Sequence, residues 1–75
     1  MNLTDIVGDN IRGYRYKLDV SQEKLAEYAD LHRTYIGSVE RGEYNLTILT
    51  LERIAKALKI EPHLLLIKDS YKKKK

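Results

Sequence analysis

The apolar positions Leu3, Val7, Ile11, Tyr14 and Leu18 recur at steps of three and four, the spacing of one face of an α-helix. That stripe predicts a first helix over residues 3–18. Gly8 and Gly13 fall inside it, and each weakens an isolated helix by roughly 1 kcal/mol relative to alanine. Asp19-Val20 breaks the stripe. Ser21 follows as an N-cap, its hydroxyl able to satisfy a free backbone N–H, and Glu23 sits where a helix's positive end favours a carboxylate. A second helix over residues 22–29 turns Leu25, Ala26 and Ala29 inward. Asp30-Leu31-His32 turns the chain. A third helix is expected from Arg33 to Arg41, closed by Gly42 with positive φ. After a loop over 43–46, Thr47 caps a fourth helix with the stripe Ile48, Leu51, Ile54, Ala55 and Leu58. Glu61-Pro62 opens a fifth, proline being well tolerated at the first helical position. No segment alternates apolar and polar residues as a half-buried strand would. The expectation is an all-α domain of five short helices.

The chain has 75 residues, 43% hydrophobic and 33% charged, which suits one domain near the lower size limit for unaided folding. It contains no cysteine, so neither a disulfide nor a thiolate metal site can staple it. Packed apolar side chains must suffice, or a second copy of the chain must complete them. The longest apolar run, Leu64 to Ile67, is far too short to span a bilayer. Residues 1–20 carry Asp5 and Asp9 but no basic start and no apolar middle, so no secretory signal is expected and an intracellular protein is. The net charge of +3 is unevenly placed. Lys72 to Lys75 supply four positive charges, leaving residues 1–71 with ten Lys+Arg against eleven Asp+Glu, a net of −1. The domain is therefore expected over 1–71, with 72–75 a basic, disordered tail, either merely solvated or attracting phosphates without regard to sequence. A nucleic-acid partner would require the positive groups to gather on one face.

Residues 21–41 read as two short helices joined by a tight turn, a unit able to seat its second helix in the major groove of DNA. Ala26, Leu31, Ile36 and Val39 provide the small and branched residues where such helices cross. The same pattern would also fit a helical bundle that binds nothing. The residues themselves say more. The stretch SQEKLAEYADLHRTYIGSVERGEYNLTILTLERIAKAL opens the second helix with Ser-Gln and carries Leu-Ala within it. It opens the third with Arg-Thr-Tyr-Ile, closes it with Glu-Arg-Gly, and continues as Leu-Glu-x-Ile-Ala-x-Ala-Leu. Taken together these motifs closely resemble the Xre-type helix-turn-helix domain of phage repressors and Cro, and particularly the small controller proteins of bacterial restriction–modification systems. The resemblance spans residues 7–67 and implies a five-helix, lambda-repressor-like fold. Four positions depart from the family pattern. Asp19 and Asp30 stand where glycine is usual, His32 where Ser, Thr or Asp usually caps the third helix, and Leu46 where proline is common. Asp tolerates left-handed geometry better than most residues, whereas an imidazole is a poorer cap.

In such a domain the leading end of the third helix reaches base edges. Arg33 is the foremost base reader, since its planar fork matches guanine O6 and N7; a phosphate contact or a solvated surface arginine are the competing readings. Thr34 offers a methyl group or a hydroxyl to a base, and Ser38 a shorter contact one turn on. Tyr35 either packs on the sugar–phosphate edge or a thymine methyl, or partly enters the core. Gly37 would let the helix approach something closely. The resemblance further implies a phosphate contact by Gln22 at the start of the second helix. It also implies backbone grips by Arg41, Tyr44 and Asn45, and a structural ion pair between Arg15 and Glu40. Arg12 is either another phosphate contact or an exposed helix arginine.

One module of this kind buries only about 600–1,000 Å² on DNA. Two copies about a two-fold axis would double that and read a palindrome with half-sites about 34 Å apart. Leu64, Leu65, Leu66 and Ile67 cover more than one side of a fifth helix. Leu65 is expected in the core, and Leu64 and Ile67 against a partner copy beside Ile48 or Leu49, unless all four fill the core. The leading expectation is thus a homodimeric, sequence-specific transcription regulator, cytoplasmic and of bacterial or phage origin. Its partners would be double-stranded DNA and itself, with no membrane and no small-molecule substrate. An antitoxin on the same fold and a protein-interaction module without DNA binding are the alternatives. Arg33-Thr34-Tyr35 with Gln22, Arg41 and Asn45 favours DNA, since a protein binder has no need of them together. Catalysis is not expected. His32 and His63 lack a second ligand at metal spacing, Ser21 and Ser38 lack an adjacent base, and there is no glycine-rich phosphate loop. No cofactor is implied.

Overall fold

Every α-helix begins at a side chain that accepts one of its unpaired backbone N–H groups. The computed structural model describes residues 2–72 and contains four: α1 (Leu3–Lys17), α2 (Gln22–Ala29), α3 (Arg33–Glu40) and α4 (Ile48–Leu58). Asn2 Oδ1 accepts from the N–H of Asp5 at 3.0 Å, Ser21 Oγ from Lys24 at 3.0 Å and Thr47 Oγ1 from Thr50 at 3.1 Å. His32 Nδ1 accepts from Thr34 at 3.2 Å, so the imidazole does cap α3. The helix ends are equally regular. A left-handed residue follows each one: Asp19 (φ 57°), Asp30 (φ 59°), Gly42 (φ 76°) and Lys59 (φ 65°). The next N–H then reaches back five residues, Val20 to Arg15 O, Leu31 to Ala26 O, Glu43 to Ser38 O and Ile60 to Ala55 O, at 2.8–3.1 Å. This closure satisfies carbonyls that would otherwise be orphaned.

The core is drawn from every element. Ile11, Leu25, Ile36, Ile54, Leu58 and Leu65 are fully buried, joined by Val7, Val39 and small residues Ala26, Ala29 and Ala55 where helices cross. α1 packs on α3 and the C-terminal segment, while α2 packs on both α3 and α4. The two glycines that weaken α1 locally are where other parts press onto it. A Cβ at Gly8 would overlap the carbonyl oxygens of Val39 and Glu40, and one at Gly13 would enter the Tyr71 ring. Packing offsets the lost propensity.

The expected five-helix architecture needs correction, because the fifth helix is absent as an α-helix. Residues Pro62–Leu66 form a short 3-10 segment, and Ile67 after it is extended (φ −100°, ψ 119°). A second 3-10 turn, Ser70–Lys72, closes the described chain. The cause lies on α1. Asn10, fully buried, donates from Nδ2 to Leu65 O at 2.9 Å and Ile67 O at 2.8 Å, with Leu64 O at 3.4 Å. Ser70 Oγ donates to Leu64 O at 2.5 Å and itself accepts from Tyr14 OH at 2.9 Å. Side chains thus take the carbonyls that a continuing α-helix would use, and a five-residue piece is too short to nucleate one unaided. Of the four consecutive apolar residues only Leu65 is buried. The tail expected over 72–75 starts with Lys72 in that last turn, its Nζ 3.5 Å from Asp69; residues 73–75 lie outside the described residues.

Candidate nucleic-acid interface

α3 carries two stripes on opposite sides. Ile36, Val39 and Glu40 are buried, while Arg33, Thr34 and Arg41 are exposed and Ser38 is half-buried among them. Residues 34, 37, 38 and 41 fall at steps of three and four, so they share one face. Gly37 on that face is covered by neighbours rather than by core. Arg41 Nη1 lies 3.4 Å and Gln22 Oε1 3.6 Å from where its Cβ would be. Tyr35 is half-buried, packs against the core cluster, and tilts its ring 5.2 Å from that of Tyr44. Tyr44 and Asn45 themselves stand exposed just past the helix.

The orientation of α3 is set from its far end. Arg15, on α1, donates from Nε to Glu40 Oε2 at 2.7 Å and from Nη2 to Oε1 at 3.0 Å. Both residues are buried. Gln22, at the start of α2, donates from Nε2 to the same Oε1 at 3.0 Å, so one carboxylate joins three helices. The bond to Glu40 holds the Arg15 guanidinium above the ordinary arginine range, against the opposing pull of burial. Arg15 Nη1 also donates to Val20 O at 3.0 Å, which fixes the turn before α2. Arg12 adds Nη2 to Glu40 O at 2.6 Å and Nη1 to Asp9 Oδ1 at 3.3 Å; its fork is half-buried between α1 and α3, with protein acceptors on both sides.

Two exposed arginines of this region also have carboxylate partners. Arg33 Nη1 lies 3.9 Å from Glu23 Oε1, both side chains well exposed. Arg41 is held more firmly. Its Nε donates to Glu43 Oε2 at 3.0 Å and its Nη2 to Glu43 Oε1 at 3.2 Å, with Ser38 Oγ 3.4 Å away. Glu43 was legible as a partner only through its position two residues after Arg41. Of the four residues expected at a partner copy, Ile48 is 83% and Leu49 70% exposed, Ile67 is exposed and Leu64 half-buried. Leu3 and Leu66, not among the residues expected at a partner copy, are exposed as well. With Val7, Leu46 and Leu51 they line a shallow apolar groove that runs up to Ile48. Among the described residues no group of three potential metal ligands gathers, and no helix is long and apolar enough to cross a membrane.

Comparison with known proteins agrees with this geometry. Residues 11–65 match the helix-turn-helix family. The chain belongs to that family. Within it, the chain is 49% identical over 72 residues to the control protein C.SmaI of Serratia marcescens, covering 96% of this chain and 86% of that protein. The crystal structure of the restriction–modification controller protein C.AhdI from Aeromonas hydrophila superposes with a TM-score of 0.81 at 39% identity, over 83% of this chain and 94% of the other. The biofilm master regulator SinR, solved in complex with DNA, superposes at 0.78 with 34% identity, over 81% of this chain and 98% of the other. The matched residues 11–65 include α2 and α3.

Proposed function

We propose that this helix-turn-helix regulator acts as the controller protein of a restriction–modification system, a homodimer in the bacterial cytoplasm that recognises a palindromic operator. One observation carries the DNA reading. The leading end of α3 leaves Arg33 and Thr34 exposed at the surface while Ile36, Val39 and Glu40 behind them are fixed in the core. A short helix held this firmly at the back and polar at the front is built to enter a major groove. In this reading Arg33, Thr34, Tyr35 and Ser38 meet bases, and Gln22, Tyr44 and Asn45 set the register on phosphates. Arg12 has its charge already shared with Asp9 and Glu40.

The exposed apolar face supports the second copy. Ile48 and Leu49 at the start of α4, with Leu66 and Ile67, expose large apolar side chains, and contiguous exposed apolar surface marks interaction sites. A two-fold axis through that face pairs like with like. The similarity to C.SmaI and C.AhdI supports the restriction–modification role. Selection of bound sequences from random duplex DNA tests the reading: a recovered palindrome is expected, with half-sites about one helical turn apart. A folded protein that prefers no duplex at low salt would overturn it.

A further inference from the structure

The family resemblance implies a phosphate contact for Arg41, yet the guanidinium is arranged for a different task. Its side edge, Nε and Nη2, is occupied by the two oxygens of Glu43 at 3.0 and 3.2 Å. The other edge, Nη1 and Nη2, lies back over the preceding turn, beside Ser38 Oγ and above Gly37, as long side chains on helices tend to do. Arg41 thus rests on the exposed stripe that Thr34, Gly37 and Ser38 form, opposite the buried Ile36 and Val39. A Cβ at Gly37 would stand 3.4 Å from Arg41 Nη1, an ordinary contact distance, so the guanidinium lies directly over this position. Glu43 remains ionised below the usual carboxylate range because it is bonded to Arg41.

We propose that Arg41 is a second base-reading arginine, presenting Nη1 and Nη2 to the O6 and N7 of a guanine, with Glu43 as the positioning residue that fixes the fork. This rests on the DNA-binding reading above. Two physical arguments favour a base over a phosphate. The Arg41–Glu43 pair is locally neutral, so it releases few counterions from DNA, which is the main return on a phosphate contact. With a carboxylate on the side edge, the flat two-donor edge that matches guanine is engaged only by the long contact of Nη2 to Ser38 Oγ at 3.4 Å. Arg33 and Arg41 stand eight positions apart on the chain, about 12 Å along a helix axis, so they address different base pairs.

The test compares the full-length wild type, Arg41→Ala and Glu43→Gln on the selected operator and on its single-base-pair variants, across a salt series. For Arg41→Ala, discrimination at one base pair per half-site is expected to fall from on the order of tenfold or more to near unity, with the salt slope unchanged. For Glu43→Gln, preference at that same base pair is expected to weaken although a negative charge has left the DNA face. The proposal is overturned if Arg41→Ala weakens all duplexes by one factor and lowers the salt slope by about 0.9, or has no effect. It is equally overturned if Glu43→Gln tightens all duplexes alike. Circular dichroism melts confirm that both variants fold. A wild type without any preferred duplex would instead remove the DNA-binding reading itself.

Discussion

Glu40 keeps a full charge away from water because Arg15 and Gln22 occupy its oxygens. Removing one member of such a pair leaves the other buried and uncompensated. Glu40→Gln is therefore expected to destabilise the domain by about 3–5 kcal/mol, a large share of what a chain of this length possesses, read as a fall in the urea midpoint. At the surface the arithmetic differs. Arg33→Ala should leave the melt unchanged and cost about 1–3 kcal/mol of operator affinity at one base pair, measured by titrating operator variants; an equal loss on all sequences would make Arg33 a phosphate contact. Local spacing showed little of this network. Arg15 and Glu40 are 25 positions apart, and their pairing came from resemblance to a family. The partners Glu23 and Glu43 belong to no motif, and only folding brings the Arg33 side chain within reach of Glu23.

At the level of helices, the starts of α2, α3 and α4 were legible and the conformation of the segment after Pro62 was not. Ser21, Thr47 and Gly42 act within a few residues of themselves, so their roles follow from the sequence alone. The segment after Pro62 depends on Asn10, more than fifty residues away, and no periodicity along 62–67 could report that. Asp19, Asp30 and Lys59 hold left-handed conformations that cost a side-chain-bearing residue energy glycine does not spend. Lys59 is exposed, which makes it the cleanest place to recover that cost. Lys59→Gly is expected to raise stability by about 1 kcal/mol, a rise in melting temperature of about 4–8 °C for a domain of this size, checked by calorimetry.

For the whole molecule, the decisive surface is the one the core leaves uncovered. Ile48 is the most exposed of its large apolar side chains, so Ile48→Glu should not disturb the monomer. It is expected to shift sedimentation toward monomer and weaken operator binding together; an unchanged dimer would clear this face. The sequence indicated Ile48 and Leu49 as candidates. It missed Leu3 and Leu66, because the groove they line is assembled from the start of α1, the start of α4 and the C-terminal segment. The opposed stripes of α3 carry one further implication. Thr34, Ser38 and Arg41 support nothing in the interior, whereas Glu40 secures the helix from behind. A handful of codon changes along the outward row could therefore retarget such a protein to a new operator while its framework stayed intact.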